Sequence, residues 1–140
     1  MRTELTRRES QIMEILRSRP EGFRVISGDD SLTLALIALG GEGLISVASN
    51  EIPAEVVKMV EAAERGDYLG ARHVHSRILP LINFENRQCG LRACKTAMKE
   101  GGVIGSEAVR HPLEALHPAT REGLLELARE VDPLVLRWGK

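Results

Sequence analysis

A chain of 140 residues with 43% hydrophobic and 28% charged side chains can build one modest core and is not disordered. A net charge of −1 argues against a general nucleic-acid or membrane-surface binder. No apolar run reaches the ~18 residues that span a bilayer, and the opening MRTELTRRES has no apolar signal region, so a cytoplasmic protein with neither nucleic acid nor membrane as partner is expected.

Residues 6–18, TRRESQIMEILRS, place Ile12, Ile15 and Leu16 on one face and read as a helix ended by Pro20 and Gly22. FRVIS, residues 23–27, alternates and is β-branched, as a strand should be. DSLTLALIALG follows, with a capping residue at Asp30 or Ser31 and apolar residues nearly all round. It predicts a helix packed on both sides and stopped by Gly40 and Gly41. GLISVA, residues 43–48, predicts a second buried strand. Pro53 opens a helix that closes at Gly66. Asp67 caps the next, through DYLGARHVHSRILPLI, and the pattern breaks between Phe84 and Gly90. LRACKTAMKEGG is helical again, VRHPLEALHP is extended, and PATREGLLELAREV is a last amphipathic helix closed by Asp132 and Pro133.

The order is α-β-α-β-α followed by more helices. Strands apolar on both faces belong to parallel sheets covered by helices. In such folds, sites form where the strands' C-terminal ends run into loops. Ser27-Gly28-Asp29-Asp30 and Ser46-Val47-Ala48-Ser49-Asn50 are loops of that kind. Two strands alone leave open edges that invite association.

In this order and spacing, SGDD after one strand, ALGGEGLISV into the next, GDYLGARHVHSRILPL and VRHPLEALHPATREGL resemble the second half of the dihydrodipicolinate synthase and N-acetylneuraminate lyase superfamily. The likeness runs over roughly residues 4–130. NFENRQCGLRACKTAMKEGGVI departs from the NPIPVK pattern of the lysine-pathway enzymes. It looks more like the sugar-acid branch, the 2-keto-3-deoxy acid dehydratases and aldolases.

The resemblance implies an α/β fold: the C-terminal part of a (β/α)8 TIM barrel, holding its last two parallel strands, plus a C-terminal helical bundle. Residues 1–66 would be the partial barrel and residues 67–140 the helical extension. The family forms a Schiff base between a lysine on the sixth strand and pyruvate or a related 2-keto acid, and the imine serves as an electron sink. That lysine opens a K-E-x-T segment. The matching stretch here is TELT, residues 3–6, so Thr3 stands at the lysine's place, and a hydroxyl cannot form an imine. By resemblance, Gly28 lets substrate approach the backbone and Asp29 and Asp30 line the mouth. Ile45 packs beneath the keto acid, with Ser46 and Val47 beside it. No cofactor and no metal are implied. Two expectations follow for a truncated chain of this kind. One is a lyase or aldolase that works when complemented by the missing half. The other is an inactive, homo-oligomerising structural remnant.

Other features have plainer readings. Asp29-Asp30 could be paired carboxylates for acid–base or metal chemistry, but carboxylates also favour helix N-termini. His73 and His75 point to different sides of a helix, and His111 and His117 flank prolines. Lys95 and Lys99 lie one turn apart on a solvated face. Cys89 and Cys94, spaced C-x4-C with no second pair, read as buried thiols. ELTRRESQIMEIL resembles the first helix of a helix-turn-helix module, but no basic recognition helix follows.

Overall fold

A computed structural model of the chain describes residues 7–131. Six α-helices carry most of it: α1 (Arg7–Ser18), α2 (Thr33–Ala38), α3 (Pro53–Glu64), α4 (Tyr68–Phe84), α5 (Leu91–Glu100) and α6 (Pro118–Val131). Thr3 and the Asp132-Pro133 stop lie outside the described residues.

The helix boundaries follow local chemistry. Pro53 occupies the first turn of α3, where its missing N–H costs nothing. Gly66 turns the chain out with φ +79°. The Asp67 carboxylate then accepts the Gly70 N–H at 2.9 Å and caps α4. A β-carbon at residue 70 would sit 2.2 Å from that carboxylate, so glycine there is part of the cap. After Phe84, one wide π turn, Glu85–Cys89, ends at Gly90 with φ +57°. This is where the helical pattern breaks in the sequence.

The main core joins Ile52, Val56 and Met59 of the α3 region to Ile78, Leu81 and Ile82 of α4 and Leu124, Ala128 and Val131 of α6. Ala48, Cys89 and Ala93 complete it, and the core runs without interruption across residue 66. A smaller cluster sets Ile37 of α2 against Ala62, Ala63 and Ala71. Across the core rim, Arg77 pairs with the buried Glu55, which also accepts from Lys58 at 2.7 Å. Burial raises the Glu55 carboxyl, but the two cations outweigh it and leave it below its usual range.

The two predicted strands are reduced to a short parallel contact. Ser27 N–H donates to the Gly43 carbonyl (2.9 Å), Ile45 N–H to the Ser27 carbonyl (2.9 Å) and Glu42 N–H to the Val25 carbonyl (2.8 Å). Side chains alternate along such segments. Ser27 is buried and Leu44 packs against the main core. Ile26 (48% exposed), Ile45 (74%) and Val47 (40%) face the other way, uncovered. The expectation of strands buried on both faces is therefore corrected: among the described residues, helices cover one face only. The same holds for the helix predicted across residues 30–40. It is the six-residue α2, which buries Thr33, Leu36 and Ile37 while Leu32 and Leu39 stay exposed. Gly41 ends it, because a β-carbon there would meet the Leu36 carbonyl at 2.9 Å.

Candidate functional site

The parallel contact delivers both polar loops to one end of the molecule. Gly28 is exposed, and a β-carbon there would meet no atom within 4 Å. Asp29 is exposed and folds onto its own turn, accepting Ser31 N–H at 2.8 Å and Ser31 Oγ at 2.6 Å. Its carbonyl accepts from the Ser27 and Thr33 hydroxyls at 2.9 and 2.8 Å. Ile45 lies on the uncovered face beside Gly28. Three residues singled out from sequence, Gly28, Asp29 and Ile45, are thus brought to one accessible end.

Asp30 behaves differently from both sequence expectations. It neither lines a mouth nor caps α2, whose N-terminus has no side-chain cap. Its buried carboxylate instead accepts Val47 N–H at 3.0 Å, Ala48 N–H at 3.3 Å and the Ser46 hydroxyl. These donors open the 3-10 turn Ala48–Asn50, so Asp30 ties the first loop to the second. Ser46 Oγ in turn accepts Ser49 N–H at 2.8 Å. The His75 ring meets the Ser31 carbonyl at 3.0 Å and pins the first loop to α4. His73 is exposed and shares no partner with it.

Behind these loops lies a group not legible in the sequence. Glu51, Glu85 and Cys94 are all buried, and one ligating atom from each lies within 4.8 Å of the others. Glu51 is 2% exposed and Glu85 1%. Among the described residues, both Glu51 carboxylate oxygens and Glu85 Oε2 have no hydrogen-bond partner. The Cys94 thiol reaches Glu85 Oε1 at 3.4 Å and the Val47 carbonyl at 3.8 Å. Burial, then the nearby Glu85 charge and to a smaller extent Asp30, push the Glu51 carboxyl up to about 8 against the pull of the Cys94 thiol. Burial and Asp30 raise Glu85 to about 7, against the donation from Cys94. Burial and the two carboxylates push the Cys94 thiol far up as well. Left without a cation, this group holds protons at neutral pH.

Polar loops gathered at the ends of parallel segments, with helices behind them, are the arrangement of an α/β protein. That fold is shared with dihydrodipicolinate synthase from Aquifex aeolicus, whose crystal structure superposes with a TM-score of 0.83 at 36% identity, over 91% of this chain and 43% of that one. The model of the Dihydrodipicolinate synthetase family matches residues 4–131, and the chain belongs to that family. Among curated relatives, the 4-hydroxy-tetrahydrodipicolinate synthase of Acidobacterium capsulatum is 44% identical over 125 residues, which are 89% of this chain and 41% of that protein. The L-2-keto-3-deoxyarabonate dehydratase of Azospirillum brasilense is also 44% identical, over 112 residues, 79% of this chain and 36% of that protein. The chain therefore spans about two fifths of the length of the curated relatives it matches. No helix among the described residues is long and apolar enough to cross a membrane.

Proposed function

We propose that this chain supplies one wall of the substrate site of a lyase or aldolase that handles pyruvate or a related 2-keto acid through a Schiff base. In this reading residues 1–66 are the last two strands and helices of a (β/α)8 barrel, and residues 67–140 are its helical extension. Gly28 admits the substrate to the backbone, Asp29 stands at the mouth and Ile45 packs beneath the keto acid. With Thr3 at the lysine's place, the imine-forming amine has to come from elsewhere, and the chemistry requires the rest of a barrel. The observation that carries this reading is the one-sided burial of the parallel pair. Its helix-covered face is finished, while the face holding Ile26, Gly28, Ile45 and Val47 is bare at the loop end. A barrel wall has that asymmetry, because its inner face is closed by the remaining strands. The dehydratase relative, named for a 2-keto acid, supports the substrate class.

The test is complementation. The chain is co-expressed with the part of the Azospirillum brasilense dehydratase that it does not match, then treated with pyruvate or a 2-keto-3-deoxy acid and borohydride. A co-purifying complex with a reduced adduct on the lysine-bearing chain is expected, with the adduct lost when Ile45 is replaced by Asp. A complex that never forms, or one whose trapping ignores Ile45→Asp, would sink the reading.

A second reading has its own observation. The bare face and open edges carry Phe23, Ile26, Ile45 and Val47, and a homo-oligomer would cover them without any chemistry. Light scattering distinguishes the two: the structural reading requires an assembly of this chain alone, larger than a monomer.

A further inference from the structure

We propose that Glu51, Glu85 and Cys94 form a binding site for one divalent transition-metal ion, with Zn2+ the best fit. The proposal is independent of the reading above, since none of the three residues belongs to the substrate wall. Three observations carry it. The first is the unpartnered state of Glu51. Both of its oxygens are buried with no donor among the described residues, although polar atoms at such depth are nearly always satisfied. The second is convergence: Glu51 enters from the turn before α3, Glu85 from the π turn and Cys94 from α5, so three separate elements aim one ligating atom each at a common point. The third is geometry. Tetrahedral zinc bonds of about 2.0–2.3 Å set ligand atoms about 3.5 Å apart. Cys94 Sγ and Glu85 Oε1 are 3.4 Å apart, and all three atoms lie within 4.8 Å.

The donor set selects the ion. Calcium and magnesium take six or more oxygens, and a sulfur ligand with two carboxylates is a poor substitute. A thiolate with two oxygens suits a borderline ion that accepts four ligands. Asp30 is not available, because its oxygens are already committed to Ser46, Val47 and Ala48. The fourth ligand is then a water or the Val47 carbonyl, 3.8 Å from Cys94 Sγ. Binding displaces the thiol proton and the carboxyl protons to solvent. The ion replaces scattered protons with one charge at the point where the buried carboxylates and the thiol converge.

The experiment is a titration of the full chain, stripped with chelator, with Co2+ under argon. Cobalt bound to a thiolate shows a sulfur-to-metal charge-transfer band in the near ultraviolet. One equivalent of Co2+ should produce the band, and Zn2+ should abolish it by displacement. Cys89→Ser should keep the band. Cys94→Ser, which changes only the sulfur, should lose it, and Glu51→Gln should weaken binding at least tenfold while the far-ultraviolet dichroism stays that of the wild type. No saturable band, or a band lost in Cys89→Ser and kept in Cys94→Ser, would overturn the proposal.

Discussion

In the metal-free chain, stability should fall as pH rises through neutrality, with Glu51 as a main cause. The Glu51 and Glu85 carboxyls are raised from 4.5 to about 8 and about 7. A carboxyl whose pKa is higher folded than unfolded binds its proton more tightly in the native state. Its contribution is complete below the unfolded value and is lost as pH climbs through the folded one. The window is therefore about pH 5 to about pH 8, far from ordinary acid denaturation. Each tenfold change in proton affinity is worth about 1.4 kcal/mol, so each carboxyl forfeits on the order of 3–4 kcal/mol by pH 8. That is a large share of a domain's usual ~5–15 kcal/mol. Glu55 does not confuse the assay, because its lowered pKa places its own transition below this window. Thermal unfolding followed by circular dichroism, in chelator, should show Tm falling steadily across the window. Glu51→Gln removes one of the two titrations, so the slope should be roughly halved. A Tm that is level or rises with pH in the wild type would refute the reasoning, as would a Gln variant with the full slope. Adding Zn2+ should reverse the trend, since metal affinity grows as the ligands deprotonate.

Substitutions at four positions test the rest of the framework. Asp30→Ala strands the Val47 and Ala48 N–H groups and should cost about 3 kcal/mol in urea unfolding, with Asp30→Asn recovering part because one oxygen remains. Asp67→Ala should cost about 1 kcal/mol through the lost cap. Gly70→Ala displaces the same carboxylate yet gains about as much helix propensity, so its Tm should stay near the wild type. Leu81→Ala opens a cavity where α4 meets the main core and should cost about 2–5 kcal/mol.

The sequence was most legible where a single residue sets local geometry. Pro53, Gly66, Asp67 and the break after Phe84 all mark real boundaries, because proline, glycine and a capping carboxylate act within one turn. It was least legible where distant residues meet. Asp30 sits before a helix and carries the residue type of a cap, yet it caps a turn more than a dozen residues on, because the parallel register brings Val47 to it. No local pattern encodes that choice. Glu51, Glu85 and Cys94 share no spacing motif either, and each alone reads as an ordinary helix-end or core residue. The length of α2 was overestimated for a related reason: apolar residues on every side signal burial, but the partner for half of them is not among the described residues.

The two unfinished features of the molecule differ in kind, and that difference assigns their roles. The bare face at Ile45 is apolar and exposed, so water wets it at moderate cost, and covering it is a matter of association with more chain. The orphaned carboxylates are polar and already out of water, so association at the surface does nothing for them. What satisfies them has to be small enough to enter: a proton, a water or an ion. Asp30 connects the two problems. It fixes the turn at Val47–Ala48 that follows the loop carrying Ile45, and its charge also bears on Glu51 and Glu85. The Cys94 thiol also meets the Val47 carbonyl, so an ion held by Glu51, Glu85 and Cys94 would sit directly behind the loop that carries Ile45.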